Sequence, residues 1–215
     1  MEPGIALAHP LGVGAFSFES FRLARFLRGL FCGAFARLPL AHGAHAPVPL
    51  RTALFGNVVL SRFPVKHHIQ HDLTWKTCEH RGVQRVDVSL DEDTLHVYNV
   101  HLGTSLLERR HQAVKLASIV HDRRVAGPKI VLGDFNEWAR GMAKDVLAER
   151  LQSIDLSKHL SRRRTYPGFF PILHLDHIYY EGKVEVLKVS LPRDRMALMA
   201  SDHLPLVADL RIGFD

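Results

Sequence analysis

Apolar and polar positions alternate most regularly in the middle of the chain. Val83 to Leu90 and Thr94 to Val100 both run with the period of two expected of strands, and the acidic turn Asp91-Glu92-Asp93 joins them into a predicted hairpin. The period then lengthens. Leu106, Ala113, Val114, Ala117 and Val120 recur at helical spacing with Glu108, Arg109, Arg110 and Lys115 outside, which predicts an amphipathic helix ending near Gly127-Pro128. Next, the apolar run from Lys129 to Leu132 stops abruptly in Gly133-Asp134-Phe135-Asn136, a buried strand that delivers polar groups to a sheet edge.

To either side the pattern is coarser. Asn57-Val58-Val59-Leu60 predicts a short strand closed by Arg62-Phe63-Pro64. Residues 66–80 read as a loop whose His67, His68, His71 and His80 lack the spacing of metal ligands and belong on the surface. Downstream, Met142 to Leu151 predicts a helix and Asp155 to Tyr166 a basic connection. Ile172 to Tyr180 and Val184 to Val189 predict strands around Glu181-Gly182, and Leu204 to Ile212 a last strand. Upstream, Ser17 to Phe35 is a candidate helix carrying Arg22, Arg25 and Arg28, and Ala41 to Pro49 reads as a loop. Hairpins mixed with isolated helices argue for mixed sheets covered by helices.

With 215 residues and 47% hydrophobic content the chain can bury a sizeable core. The net charge of +6 is unevenly spread: residues 1–71 hold seven Lys or Arg against Glu2 and Glu19. Such a balance suits an anionic partner, whether nucleic acid, phospholipid or a phosphorylated small molecule. Cys32 and Cys78 stand far apart outside any CxxC spacing, so two reduced thiols are expected in place of a zinc site or a disulfide framework. No apolar run is long enough to span a bilayer, and a soluble, cytoplasmic monomer is expected.

In an extended chain alternate residues share a face, which turns Asp134 and Asn136 one way and Phe135 back toward packing. A carboxylate beside an amide can hold a divalent cation or orient a water and a phosphoryl oxygen. The plainer alternative is a strand-end turn, since Gly, Asp and Asn are common turn residues. Three more apolar stretches end in the same chemistry: Tyr98-Asn99-Val100-His101-Leu102, Leu175-Asp176-His177-Ile178 and Ser201-Asp202-His203-Leu204-Pro205. In this order, with Gly56-Asn57-Val58-Val59-Leu60-Ser61-Arg62 as a further landmark, they resemble the endonuclease/exonuclease/phosphatase, or DNase I-like, superfamily of metal-dependent hydrolases. The resemblance runs from about Phe55 to the C-terminus. It implies an α/β fold, a four-layer sandwich of two mixed β-sheets flanked by helices, with the site at one end. Residues 51–215 would form the catalytic domain, and residues 1–50 a divergent basic N-terminal segment.

Site roles follow from the same resemblance. His203 would act on the water or its proton, with Asp176 behind it fixing the tautomer, and His101 would donate to a phosphoryl oxygen. Asp134 and Asn136 would position nucleophile and phosphate and, with Asp202, form the environment of Mg²⁺ or Mn²⁺. Asn99 would shape the strand end beside the substrate. Arg164 and Tyr166, in the basic and aromatic stretch Arg162 to Phe170, would contact phosphate or stack on a base. A buried structural Asp–His pair is the alternative for Asp176 and His203, and a solvated loop is the alternative for residues 162–170.

One departure matters. Active members carry an early strand ending in Asn and then a Gln-Glu pair whose glutamate is the principal Mg²⁺ ligand, and neither has a match upstream of Gly56. Glu19, in Phe-Ser-Phe-Glu-Ser-Phe, lies on a presumptive helix. The expectation is an N-terminally incomplete or divergent member with early strands missing. The implied function is a divalent-metal-dependent phosphoester hydrolase, first of all a phosphodiesterase of nuclease type acting on a phosphate-containing substrate. Two alternatives stand beside it: an impaired member that binds nucleic acid or a membrane surface, and a phospholipid or inositol-phosphate phosphodiesterase.

Overall fold

The hairpin read from the central alternation is the middle of the largest sheet. The computed structural model describes residues 57–61, 63–137 and 142–214, together with four short strand segments before them. Those segments are β1 (Ile5–Leu7), β2 (Ala15–Phe16), β3 (Pro49–Leu50) and β4 (Ala53–Leu54). Then follow β5 (Val58–Val59), β6 (Val65–Asp72), β7 (Gly82–Leu90), β8 (Asp93–His101) and helix α1 (Leu106–Val120). The second half holds β9 (Lys129–Asp134), α2 (Met142–Leu147), β10 (Gln152–Ser153), β11 (Asp176–Glu181), β12 (Val184–Ser190), α3 (Arg195–Ala200) and β13 (Val207–Ile212). The helix expected over Ser17 to Phe35, with Glu19, lies outside the described residues, as do Cys32, Arg62 and most of the loop expected over Ala41 to Pro49.

A six-stranded sheet runs in the order β10-β11-β9-β8-β7-β6, antiparallel throughout except for the parallel pair β8 and β9 that α1 connects. Parallel neighbours need a crossover, and the 15-residue helix supplies it. A second sheet has the order β1-β13-β12, while β2 pairs with β5 and β3 with β4. Mixed sheets flanked by helices are thus the architecture, as expected for a DNase I-like chain.

Strand alternation divides the core in two. Val83, Tyr98, Val100, Val131 and Tyr179 face α1 and α2, packing on Ala113, Leu116, Ala117, Val120 and Leu147. The opposite face, with Val86, Val97, Ile130, Leu132 and Ile178, meets Val189, Ala208 and Leu210 of the second sheet. Each fully buried aliphatic side chain contributes roughly 1.5–3 kcal/mol, so these layers dominate the stability that holds the site rigid.

Several elements depart from the sequence reading. Only the second half of the histidine-rich stretch, residues 73–80 with His80, is the expected loop: His67, His68 and His71 lie in β6, paired with β7 at the edge of the large sheet. An edge strand with polar side chains on both faces has no apolar period to betray it. Strand β11 starts at Asp176 and not at Ile172, because Leu173 folds back to bridge Tyr166. Helix α2 ends at Leu147, and α3 was not anticipated; Asp194 Oδ1 caps it by accepting from the Ala197 N–H at 2.8 Å. Leu106 and Val114, expected inside, are exposed, whereas Glu108, Arg109 and Gln112 of α1 are buried. Among the described residues no helix is long and apolar enough to cross a membrane, and Cys78 is a free thiol.

Candidate active site

Three neighbouring strands bring their ends to one row. In the register of the six-stranded sheet His101 of β8 stands beside Asp134 of β9, and Asp134 beside Asp176 of β11. The face is fixed by alternation: Val97, Leu132 and Ile178 lie on it deeper in the same strands and pack toward the second sheet. His203 arrives from the turn before β13, its backbone N–H donating to Ser201 Oγ at 3.0 Å. Its Nδ1 is 2.9 Å from Asp176 Oδ2 and its Nε2 is 3.9 Å from Asp134 Oδ2. His101 Nε2 approaches the same Asp134 oxygen at 3.6 Å. Two imidazoles thus flank one carboxylate.

The row is tied down from behind. Asp134 Oδ1 accepts from the Asn136 N–H at 2.8 Å, and Asn136 Nδ2 donates to the Leu102 carbonyl at 2.8 Å, linking the ends of β8 and β9. Strand β9 ends at Asp134 and Asn136 has a φ of +49°, so the period-two argument that put both side chains on one strand face does not apply there. An Asx turn takes its place, with asparagine tolerating the left-handed backbone. The strand-end turn and the chemical pair are therefore the same residues. Phe135 points into the helix-side core, as expected. Gly133, at φ +135°, lies so close to the Val100 backbone that a Cβ there would collide with its carbonyl oxygen.

Beyond His101 the chain is secured by the polar side chains that α1 buries. Gln112 Oε1 accepts from the Gly103 N–H at 2.8 Å, Gln112 Nε2 donates to Glu108 Oε1 at 3.0 Å, and Arg109 donates to the Thr104 carbonyl. Buried loop backbone needs such partners, which is why this turn of the helix carries polar residues inward.

Arg81 is a residue of this corner that sequence reasoning did not single out. It is buried, its Nη2 donates to Glu79 Oε2 at 2.8 Å, and its Nη1 lies 2.9 Å from His101 Nε2 and 3.0 Å from Nδ1. Burial first, then the charges of Arg81 and His203, push the His101 imidazole down to about 3. At neutral pH His101 is uncharged and Arg81 is the fixed cation of that corner. His203 moves the other way. Burial lowers it, but the Asp176 hydrogen bond and the charges of Asp176, Asp134 and Asp202 outweigh burial and raise it to about 9. The site at neutral pH is a neutral imidazole and an imidazolium on opposite sides of Asp134.

The remaining expected residues take varied places. Asn99 is buried two residues before His101 on the same face, its carbonyl accepting from Asn57 Nδ2 at 2.8 Å. The Tyr166 ring packs on His203 with centroids 4.8 Å apart, and Arg164 is exposed on the approach to it. Asp202 is exposed, because the turn that aims His203 inward aims its neighbour out; its carbonyl accepts from the Gly168 N–H at 2.6 Å. A role for Asp202 beside Asp134 and Asn136 on a shared cation gains no bond from this placement. Among the described residues no group of three or more His, Cys, Asp or Glu side chains converges as a cation site. Asp134 and Asn136 offer the hard oxygens Mg²⁺ favours, but not enough of them to enclose the ion. The described residues therefore do not complete a Mg²⁺ or Mn²⁺ site.

A mixed β-sandwich whose sheets meet at a row of Asp and His side chains has the architecture of the DNase I-like hydrolases. The chain belongs to the endonuclease/exonuclease/phosphatase family, whose model matches residues 10–203. Members of this family generally use divalent metals. The uncharacterized protein YbhP of Escherichia coli K12 is 33% identical over 175 residues, covering 80% of this chain and 68% of that protein. Among solved structures, D. rerio TDP2 complexed with single strand DNA product superimposes with a TM-score of 0.67 at 13% identity, over 88% of this chain and 90% of its own. A mannosyl-6-phosphatase of Bacteroides thetaiotaomicron VPI-5482 gives a TM-score of 0.67 at 18% identity, over 87% and 82%. At such identities the two structures share the fold with this chain, and their substrates remain their own.

Proposed function

We propose that this chain is a divalent-metal-dependent phosphodiesterase of nuclease type, acting as a monomer in the cytoplasm, with its catalytic domain in residues 51–215. The observation that carries this reading is Asp134 flanked by His101 and His203, with Asp176 behind His203. In this reading a phosphate lies over the row. Asp134 orients the attacking water, while the His203 imidazolium donates toward the phosphoryl or leaving oxygen, where negative charge grows. This differs from an assignment of His203 as the base, because a group raised to about 9 holds its proton at neutral pH. Arg81 balances charge from the far side and, with burial, favours the neutral form of His101. Asn99, Arg164 and Tyr166 would border the substrate, the ring and the guanidinium suiting a base and its phosphate.

Mg²⁺ or Mn²⁺ is the proposed cofactor, with Asp134 and Asn136 as oxygen donors; such an ion supplies charge neutralisation at a phosphoryl oxygen. The test is hydrolysis of bis-p-nitrophenyl phosphate by purified protein in Mg²⁺, Mn²⁺ or EDTA, comparing wild type with Asp134→Ala and His203→Ala. Turnover that EDTA and both substitutions abolish is expected. A folded wild type that matches buffer in every metal would overturn the reading in favour of an impaired, anion-binding member.

A further inference from the structure

Two segments beside the candidate site turn large apolar side chains outward. Phe169 and Phe170, in the loop after Pro167, are 73% and 75% exposed, and Met196 on α3 is 78% exposed. Ile172 of the same loop and Met199, one helical turn from Met196, are exposed as well. These are not slack ends. Phe170 N–H donates to the Pro167 carbonyl at 3.0 Å and Ile172 N–H to the Tyr166 carbonyl at 2.8 Å. Gly168 N–H donates to the Asp202 carbonyl at 2.6 Å, and Arg193 donates to the Phe169 carbonyl, so the two segments are fastened to each other. A fixed scaffold that holds phenyl and thioether side chains in water marks a surface meant to be covered.

Charge says by what. Arg162, Arg163 and Arg164 lead into the first segment, and Arg193 and Arg195 flank the start of α3, all exposed. Against these five arginines stand Asp194, whose carboxylate caps α3, and Asp202. The covering surface is therefore anionic outside and apolar beneath. Single-stranded nucleic acid asks for aromatic platforms under its bases, and methionine and isoleucine supply none. Aliphatic and aromatic side chains mixed, ringed by arginine, match the boundary between lipid headgroups and acyl chains.

We propose that this face docks on an anionic phospholipid bilayer, with Phe169, Phe170 and Met196 entering the headgroup boundary and the surrounding arginines meeting lipid phosphates. The Tyr166–His203 ring contact places the docking loop directly beside the candidate active site, so the site would open close to the membrane surface. The inference goes beyond the hydrolase reading and does not depend on it.

Co-sedimentation of the full chain with vesicles tests it, using phosphatidylcholine alone and an equal mixture with phosphatidylglycerol. Wild type should pellet with the mixed vesicles, more weakly as salt rises. The combined Phe169→Ser, Phe170→Ser and Met196→Ser variant should bind at least about tenfold more weakly with an unchanged circular dichroism spectrum. Arg162→Gln with Arg163→Gln should weaken binding chiefly at low salt. Failure of wild type to pellet, or equal pelleting by the apolar variant, would overturn the proposal. So would an oligo(dT) strand that displaces the vesicles and loses its own binding on Phe169→Ser and Phe170→Ser but not on Met196→Ser. Hydrolysis of bis-p-nitrophenyl phosphate in vesicle-free buffer, read on the same samples, separates the two ideas. Pelleting without hydrolysis sinks only the hydrolase reading, and hydrolysis without pelleting sinks only this one.

Discussion

Asp176 holds His203 through Nδ1 at 2.9 Å, which leaves Nε2 facing Asp134 at 3.9 Å. One carboxylate fixes the ring and the other stands where the ring's second proton points, so the pair sets both the direction and the charge of the imidazole. The folded His203 is raised to about 9 from an ordinary value of 6.5. A raised group adds stability that is complete below its unfolded value and is lost as pH climbs through its folded value, here between about 6.5 and 9. Urea denaturation of wild type should therefore show stability falling over that window by an amount on the order of 2 kcal/mol, and Asp176→Asn should flatten the fall. The His203 ring resonances, followed by NMR, should titrate nearer the ordinary value in Asp176→Asn.

Asp87 gives the opposite pH signature, far from the candidate site. Burial raises its carboxyl, but hydrogen bonds from His96 Nδ1 at 2.7 Å and Arg85 Nη2 at 2.6 Å more than compensate and bring it down to about 2. Its contribution is present above the unfolded value near 3.8 and is lost as pH falls through about 2. Asp87→Ala should cost about 3 kcal/mol at pH 7, because it strands two buried-side donors, and the penalty should shrink in acid. Thermal unfolding of both proteins at pH 7 and pH 2.5 checks the sign.

Gly133→Ala should be among the most damaging single changes in the chain. The backbone at φ +135° disfavours any side chain, and the new methyl would drive into the Val100 carbonyl between two paired strands. A loss of about 3 kcal/mol or more is expected, measured as the shift in urea midpoint. Because Gly133 precedes Asp134, any protein that still folds should lose hydrolysis out of proportion to its stability.

Arg81→Ala should lower kcat in phosphodiester hydrolysis about 100-fold while shifting the unfolding midpoint little by comparison. Arg81→Lys keeps the charge but not the planar fork, and should recover only part of the rate. The accompanying readout is His101, whose ring should titrate at higher pH once the neighbouring cation is gone. If His101 stays put and kcat holds, Arg81 is a structural residue only.

The parts of the fold that could be read from sequence are those where one period dominates. The β7 and β8 hairpin and β9 announce themselves through alternation and a β-branched run and lie where expected, and helical spacing finds α1, which ends at Val120 and not near Gly127-Pro128. The four polar stretches were legible too: those at His101 and Asp134 do end their strands, whereas Asp176 opens β11 and Ser201-Asp202-His203 lies in the turn before β13. Arg81 was not, because it sits in the polar stretch Glu79-His80-Arg81 that looks like any loop. A signal did exist: counting back from the hairpin turn pairs Gly82 with His101, which puts Arg81 next to that histidine. The inward turn of Glu108, Arg109 and Gln112 was hidden for another reason. Helical spacing finds a helix, but the backbone of a neighbouring loop decides which polar residues it must bury.

His203 is separated from Asp134 and Asp176 in the chain and precedes only the last strand, β13. A ribosome releases the chain from its N-terminal end, so the two aspartates emerge and begin to pair while the imidazole that completes them has not yet been made. Until then the row holds His101, Asp134 and Asp176 without the imidazole that meets both carboxylates. The full constellation is therefore assembled by the fold and not by any local stretch of chain: it exists only once the segment before β13 has closed over the strand ends.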